Sequence, residues 1–267
     1  MRVCVLASSS AGNCTVVWGD GWALLIDCGL TPSRTSHALA RLGLRFADLS
    51  GVLVTHTHGD HLNKAMFGTL RRESVPLLCP AGIADAIEGQ LEFFTRDRIP
   101  EIRPLYRTSM DVGKVYVEWF RVPHDAPGGC YGFVVHAPGN GQTLSLATDI
   151  GTIEQSLPGF LAEAHMVIVE SNHDLGMLMN SDRPAWLKQR IRERGHISND
   201  ECGGLLRTTL RTPGSRVRRI ILAHLSQECN TEPLAVGSAR AALKEIGRED
   251  LPVSASHADR PTRVFEV

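Results

Sequence analysis

The order of apolar and polar runs predicts an α/β fold in which two mixed sheets pack face to face with helices on their outer sides. Three observations carry this expectation. Short apolar strands come first as a meander and then alternate with amphipathic helices, and that succession occurs twice along the chain. Several strands close on one polar residue, which places polar chemistry at strand ends instead of on strand faces. No linker rich in Pro, Gly or Ser and no short internal repeat divides the sequence, so residues 1–267 read as a single domain.

The first strands are residues 2–7, 14–18 and 22–26, the last two joined by the turn Gly19-Asp20-Gly21. Between the first pair lies Ser8-Ser9-Ser10-Ala11-Gly12-Asn13, whose side chains are too small to pack. It reads either as a simple connection or as a loop whose hydroxyls and backbone N–H groups face a phosphate. Asp27 closes the third strand, Gly29 follows, and Thr31-Pro32 starts a helix with threonine as cap and proline at the first helical position. Leu39 and Leu42 mark its buried face and Gly43 stops it. After the apolar run Gly51-Val52-Leu53-Val54, residues 62–72 predict an amphipathic helix, 76–80 a short strand and 81–91 another helix, while 92–111 has no clear period. Residues 114–122 alternate as a strand, and 131–136 and 143–148 pair as a hairpin across Gly139-Asn140-Gly141. A helix over 152–162 and a buried strand over 166–169 follow. The last third predicts helices over 184–194 (stopped by Gly195), 200–210 and 234–246, a strand over 217–223, and two short strands within 253–267.

The 28 Lys+Arg and 29 Asp+Glu nearly cancel, which taken alone argues against a nucleic-acid partner. Their distribution is uneven. Residues 183–219 hold ten Lys/Arg and three Asp/Glu, a local net of +7, and the remainder of the chain carries −8. A positive region on a negative body can steer an anionic substrate to one face, although two solvated helix faces account for the same charges equally well. No apolar run approaches the ~20 residues of a membrane span, and the N-terminus enters a strand without a charged leader and long apolar segment, so no secretory signal is expected. Seven cysteines, without a Cys-x-x-Cys and several within strands, predict reduced thiols and a cytoplasmic protein.

The chemistry concentrates in Thr55-His56-Thr57-His58-Gly59-Asp60-His61, directly after the apolar run ending at Val54. Residues two apart on an extended segment point the same way, so His56 and His58 can reach one ion, and the following turn directs Asp60 and His61 to a second beside it. Four ligands are too few for two ions. Three residues that close apolar runs can complete the set: His124 after Val122-Pro123, Asp149 after Ala147-Thr148, and His224 after Leu222-Ala223.

In order, Asp27, His56-Thr57-His58-Gly59-Asp60-His61, His124, Asp149 and His224 resemble the motifs of the metallo-β-lactamase superfamily. That resemblance implies an αβ/βα four-layer sandwich with a dinuclear site at one edge. It also implies His56, His58 and His124 on one ion, Asp60, His61 and His224 on the other, Asp149 bridging, and Asp27 orienting ligands from behind. Residues 6–13, Ser171-Asn172-His173-Asp174, Gly195-His196-Ile197-Ser198-Asn199 and Ala223-His224-Leu225-Ser226 look like the bacterial YycJ (WalJ) group over almost the whole chain. They also parallel the extra motifs of the β-CASP nucleases through Glu170, His196 and His224. Two departures stand out: Ser9 replaces a glycine usual in the group, and the span from Asp149 to His224 is too short for the β-CASP cap domain.

Two divalent ions ~3.5–4 Å apart lower the pKa of a shared water towards roughly 7, giving a hydroxide at neutral pH. Five histidines and two aspartates suit zinc or manganese: the imidazole count favours zinc and the resemblance implies manganese. His196 can donate to a phosphate oxygen or protonate the leaving oxygen, Glu170 can orient it or a metal ligand, and Asp60 belongs with them as an essential group of the reaction. The expected function is a phosphodiesterase on nucleic acid. The resemblance implies a 5′→3′ exonuclease on double-stranded DNA, with Arg183, Lys188, Arg190, Arg192 and Arg194 on the phosphate backbone. A ribonuclease, or a small-molecule hydrolase of a cyclic phosphodiester or thioester, keeps the metals and changes the substrate. A non-catalytic regulator would not need the complete ligand set. No obligate protein partner is evident.

Overall fold

The computed structural model describes residues 1–91, 95–139 and 141–267. Among the described residues the strands form two sheets of seven. In the first, β1 (Arg2–Ala7), β2 (Cys14–Gly19) and β3 (Trp22–Ile26) are an antiparallel meander, and β4 (Gly51–Leu53), β5 (Leu77–Pro80) and β6 (Ile102–Leu105) continue it in parallel. The second repeats the plan. Its β7 (Ser109–Val112), β8 (Val115–Val122), β9 (Cys130–His136) and β10 (Thr143–Ala147) meander, and β11 (Met166–Glu170), β12 (Arg219–Ala223) and β13 (Val253–Ala255) follow in parallel. The chain then returns to the first sheet, where β14 (Phe265–Glu266) pairs with β1.

Side-chain alternation explains the four layers. In β1, Val3 and Val5 face a core shared with Val117, Phe133, Leu144 and Ile168 of the other sheet. Cys4 and Leu6 face the opposite way, onto Leu39 of α1 (Pro32–Arg41), Leu70 of α2 (Phe67–Arg72) and Ile83 of α3 (Ala81–Glu88). The second sheet packs its outer face, with Val167, Val169, Ile220 and Leu222, against Leu161 of α4 (Leu157–Ala162), and its helical layer continues after two short helices, α5 (Leu175–Asn180) and α6 (Ala185–Arg190). There Leu205 of α7 (Asn199–Arg211) and Ala239 of α8 (Glu232–Lys244) complete the contact. Both sheets are thus buried on two faces, which is why their parallel strands read as unbroken apolar runs.

Local signals set most element ends. Thr31 caps α1 through Arg34 N with Pro32 inside the first turn, and Gly43 follows the last turn at φ +75°. Ser198 and Glu201 form a reciprocal capping box on α7. Several predicted helices are shorter than expected. Residues 62–72 yield only α2 after a 3-10 turn at Lys64–Met66, and 152–162 yields only α4. The run 184–194 is α6 followed by a π turn at Ile191–Gly195. Within 92–111, β6 and β7 form edge strands whose mixed exposure hid their period, while residues 92–94 lie outside the described residues. The hairpin of β9 and β10 is present, although Asn140 of its turn also lies outside them. All seven cysteines are free and buried, and no helix among the described residues is long and apolar enough to cross a membrane.

Candidate metal centre

The strands that run the same way deliver their ends to one edge of the sandwich: Asp27 follows β3, His56 to His61 follow β4, His124 follows β8, Asp149 follows β10, Glu170 closes β11 and His224 follows β12. Asp27, Asp149 and His224 adopt left-handed backbone, with φ of 62°, 58° and 56°. Each costs on the order of 1 kcal/mol, and such residues persist where surrounding structure enforces them, commonly at functional sites. The sharp turn they make swings each side chain off its strand and into the edge.

Ligand-capable atoms meet there in overlapping groups. His56, His58 and His124 form one, Asp60, His61 and His224 another, His56, His61 and Asp149 a third, and Asp149, Glu170, His196 and His224 a fourth, each with its atoms within 4.8 Å of one another. Three of the rings are held from behind. Asp27 accepts hydrogen bonds from Thr55 N (2.8 Å), Thr55 Oγ1 (2.9 Å) and His61 Nδ1 (2.7 Å). His124 Nδ1 donates to Gly195 O at 3.0 Å, and His224 Nδ1 donates to Glu170 Oε1 at 2.9 Å. These contacts engage Nδ1 of His61, His124 and His224 and turn Nε2 of each away from its support, the pattern in which a buried imidazole is oriented for a metal.

Two features test whether the residues fit metal ions. Asp149 Oδ2 and His224 Nε2 are buried without a well-formed hydrogen bond among the described residues, facing other ligand-type atoms, His61 Nε2 at 3.2 Å and Asp60 Oδ2 at 3.6 Å, and a buried polar atom left unsatisfied costs about 1–3 kcal/mol. The edge also concentrates carboxylates. Burial disfavours a charged ring at His224, yet Asp149, Asp60 and Glu170 raise its pKa to about 10. His61 is likewise fully buried but is driven well up by Asp149 and Asp27. A site that draws protons onto buried imidazoles is electrostatically set for cations, and its N and O donors suit zinc or manganese.

Glu170 and His196 lie beside this set. Glu170 is completely buried and accepts from Asp149 N (3.3 Å), Ile150 N (2.9 Å), Ile197 N (3.2 Å), His196 Nδ1 (2.9 Å) and His224 Nδ1. Burial would raise its carboxyl, but His196 and His224 hold it down at about 2. Glu170 lies beneath the cleft lining, with its oxygens engaged by backbone N–H groups and imidazoles, where it can orient His196 and His224. His196 is reached through the π turn, where its N–H donates to Ile191 O at 2.9 Å, and its bond to Glu170 leaves Nε2 for the cleft.

That cleft, of about 270 Å³, is lined by His58, Asp60, His124, Asp149, His196 and His224, and also by Ser10, Asp125, Arg183, Leu187, Arg190 and Ile191. Of the five basic residues expected to contact substrate, Arg183 and Arg190 line it, paired with Glu228 and Asp125. Arg194 lines a neighbouring recess with His124 and Thr152. Lys188 and Arg192 line neither: Leu187, Arg190 and Ile191 share the cleft face of the helix, and Lys188 turns away to donate to Met179 O. In the Ser8–Asn13 loop the two readings divide by residue. Ser8 and Ser9 are buried, Ser8 Oγ accepts from His224 N at 2.8 Å, and only Ser10 of the three hydroxyls faces the cleft. Asn13 and Thr55 were not singled out as site residues. Asn13 Nδ2 lies 2.9 Å from His61 Nε2 and 3.4 Å from Asp60 Oδ2, and Thr55 Oγ1 touches Asp27, His56 and His61. The available signal was their position, one closing the small-residue loop and the other opening the histidine run.

Residues 23–225 match the family profile described as a beta-lactamase superfamily domain. The chain belongs to this superfamily. Within the metallo-β-lactamase fold it is similar to exodeoxyribonuclease YycJ of Bacillus anthracis, with 32% identity over 247 residues covering 91% of this chain and 89% of that protein. It is similar as well to exodeoxyribonuclease WalJ of Streptococcus pneumoniae, with 30% identity over 234 residues, 86% of this chain and 84% of that one. Among solved structures, the metallo-β-lactamase fold protein YhfI from Bacillus subtilis superposes over 99% of both chains with a TM-score of 0.72 at 16% identity. As a member of the metallo-β-lactamase superfamily the chain is a hydrolase, and the αβ/βα four-layer sandwich with clustered His and Asp at one edge accords with that family.

Proposed function

We propose that the chain is a dinuclear exodeoxyribonuclease that degrades double-stranded DNA in the 5′→3′ direction. The observation that carries this reading is one cleft lined by His58, Asp60, His124, Asp149 and His224 together with His196, Arg183 and Arg190. The likeness to two exodeoxyribonucleases over most of the chain supports it.

In this reading His56, His58 and His124 would hold one ion, Asp60, His61 and His224 the other, and Asp149 would serve both. Zinc or manganese bound there would supply a hydroxide nucleophile at neutral pH and neutralise charge on the attacked phosphate. The chain's own groups do the rest. Asp27 fixes His61, and Glu170 fixes His196 and His224, as positioning residues. Arg183 and Arg190 exchange exposed carboxylate partners, each such pair worth about 0–1 kcal/mol, for DNA phosphates. Arg194 extends that track past His124. His196 Nε2 delivers a proton to the leaving oxygen. The same reading places the enzyme in the cytoplasm, as a single domain.

The test is to load the purified protein with Mn²⁺ or Zn²⁺ and offer 5′-phosphorylated duplex DNA, single-stranded RNA and a chromogenic phosphodiester. Nucleotide release from the duplex, abolished by EDTA and by Asp60→Ala and weakened as salt rises, is the expected result. Turnover of RNA alone, or of the small diester alone, overturns the assignment to DNA.

A further inference from the structure

Trp186 stands out among the large apolar side chains as 65% exposed, and Met179 (48%) and Leu175 (43%) on the preceding helix are exposed beside it in sequence. Leaving an indole in water is unfavourable by the apolar area it exposes, and among the described residues its ring has no aromatic, cation–π or hydrogen-bond partner. Its place gives the exposure meaning. Trp186 lies in α6 one residue before Leu187 and one helical turn before Arg190, both of which line the metal cleft, and three residues after Arg183, which also lines it. At 100° per residue Trp186 lies roughly 40° from Arg190 on α6, so its indole flanks the stripe of Leu187, Arg190 and Ile191 that lines the cleft, on the side opposite Lys188.

We infer that Trp186 is a stacking platform for a base of the strand whose phosphate enters the cleft, an assignment that rests on the nucleic-acid reading above. The occupant is chosen by charge. An apolar protein partner would have to cover Arg183 and Arg190 as well, whereas nucleic acid supplies phosphates for the guanidiniums and a π-face for the indole at the same time. For its base to stack on Trp186 the terminal pair must open, and the stacking offsets the lost pairing.

The experiment compares the metal-loaded wild type with Trp186→Ala and Trp186→Phe on 5′-phosphorylated duplexes with a normal or an abasic 5′ end. On normal ends Trp186→Ala raises KM roughly tenfold, within the range of base–aromatic stacking, while kcat changes less and Trp186→Phe recovers most of the loss. On abasic ends the wild type falls to the level of Trp186→Ala, because the base that stacks is gone. A wild-type KM for Trp186→Ala on normal ends, with the wild type active, overturns the platform and leaves the DNA reading standing. A penalty of equal size on normal and abasic ends also overturns it. If the wild type hydrolyses only the chromogenic diester and no duplex, the DNA reading itself falls and takes the platform with it.

Discussion

At the residue scale, the site is a matter of which atom of each ring is left free. Glu170 contacts both His196 and His224 through Nδ1, and Asp27 contacts His61 in the same way. These carboxylates set ring orientation without facing the cleft. His196 differs from the other clustered histidines in that its Nδ1 bonds Glu170 and it groups with Asp149, Glu170 and His224, apart from His58 and Asp60. The proposed ligand sets are complete without it, so replacing it should leave the ions in place. His196→Ala is expected to keep the metal content of the wild type, measured by elemental analysis, and to lose on the order of 10²–10⁴-fold in turnover, the usual worth of a positioned proton donor. Loss of metal instead would make it a ligand.

At the element scale, what matters is how closely the connections at the sheet edge approach one another. Gly29 shows this most sharply: a Cβ there would sit 1.7 Å from Asp60 O and 2.8 Å from Asn13 N, both backbone atoms that cannot rotate away. The turn after β3 is thus pressed against the histidine loop, with Cys28 N donating to His61 O at 2.8 Å. Gly29→Ala should displace Asp60, destabilise the fold by about 3 kcal/mol as an overpacked site, and weaken metal binding. Denaturant unfolding and metal titration check both effects, and unchanged stability would show that the two loops can separate. The π turn at Ile191–Gly195 is a second such device. It lets α6 end where Gly195 O accepts from His124 and where His196 meets Glu170.

At the scale of the whole molecule, the candidate ligands come from both halves: His56, His58, Asp60 and His61 from the first sheet's connections, His124, Asp149 and His224 from the second's. Bound ions would therefore tie together two sheets that already share a core. Calorimetry should give one cooperative unfolding transition, and EDTA should lower its midpoint, since a ligand at 100 times its Kd stabilises by about 2.7 kcal/mol. Two separate transitions would argue against a single domain, and a midpoint indifferent to EDTA would argue against bound metal.

The sequence by itself determined the meander-then-crossover plan, the cap at Thr31, and the ligand-type residues, because each depends on local pattern: apolar runs, helix starts, and polar residues closing strands. It was silent or misleading wherever partners lie far apart in the chain. The part of Glu170 depends on three backbone N–H groups from two other segments, and the small-residue loop binds His224 across 216 positions through Ser8. A run of arginines looked uniform until the helix divided it, turning Arg183 and Arg190 to the cleft and Lys188 away. Side-chain chemistry can be read along a chain, but which groups face each other is decided only when strands of two sheets end at one edge.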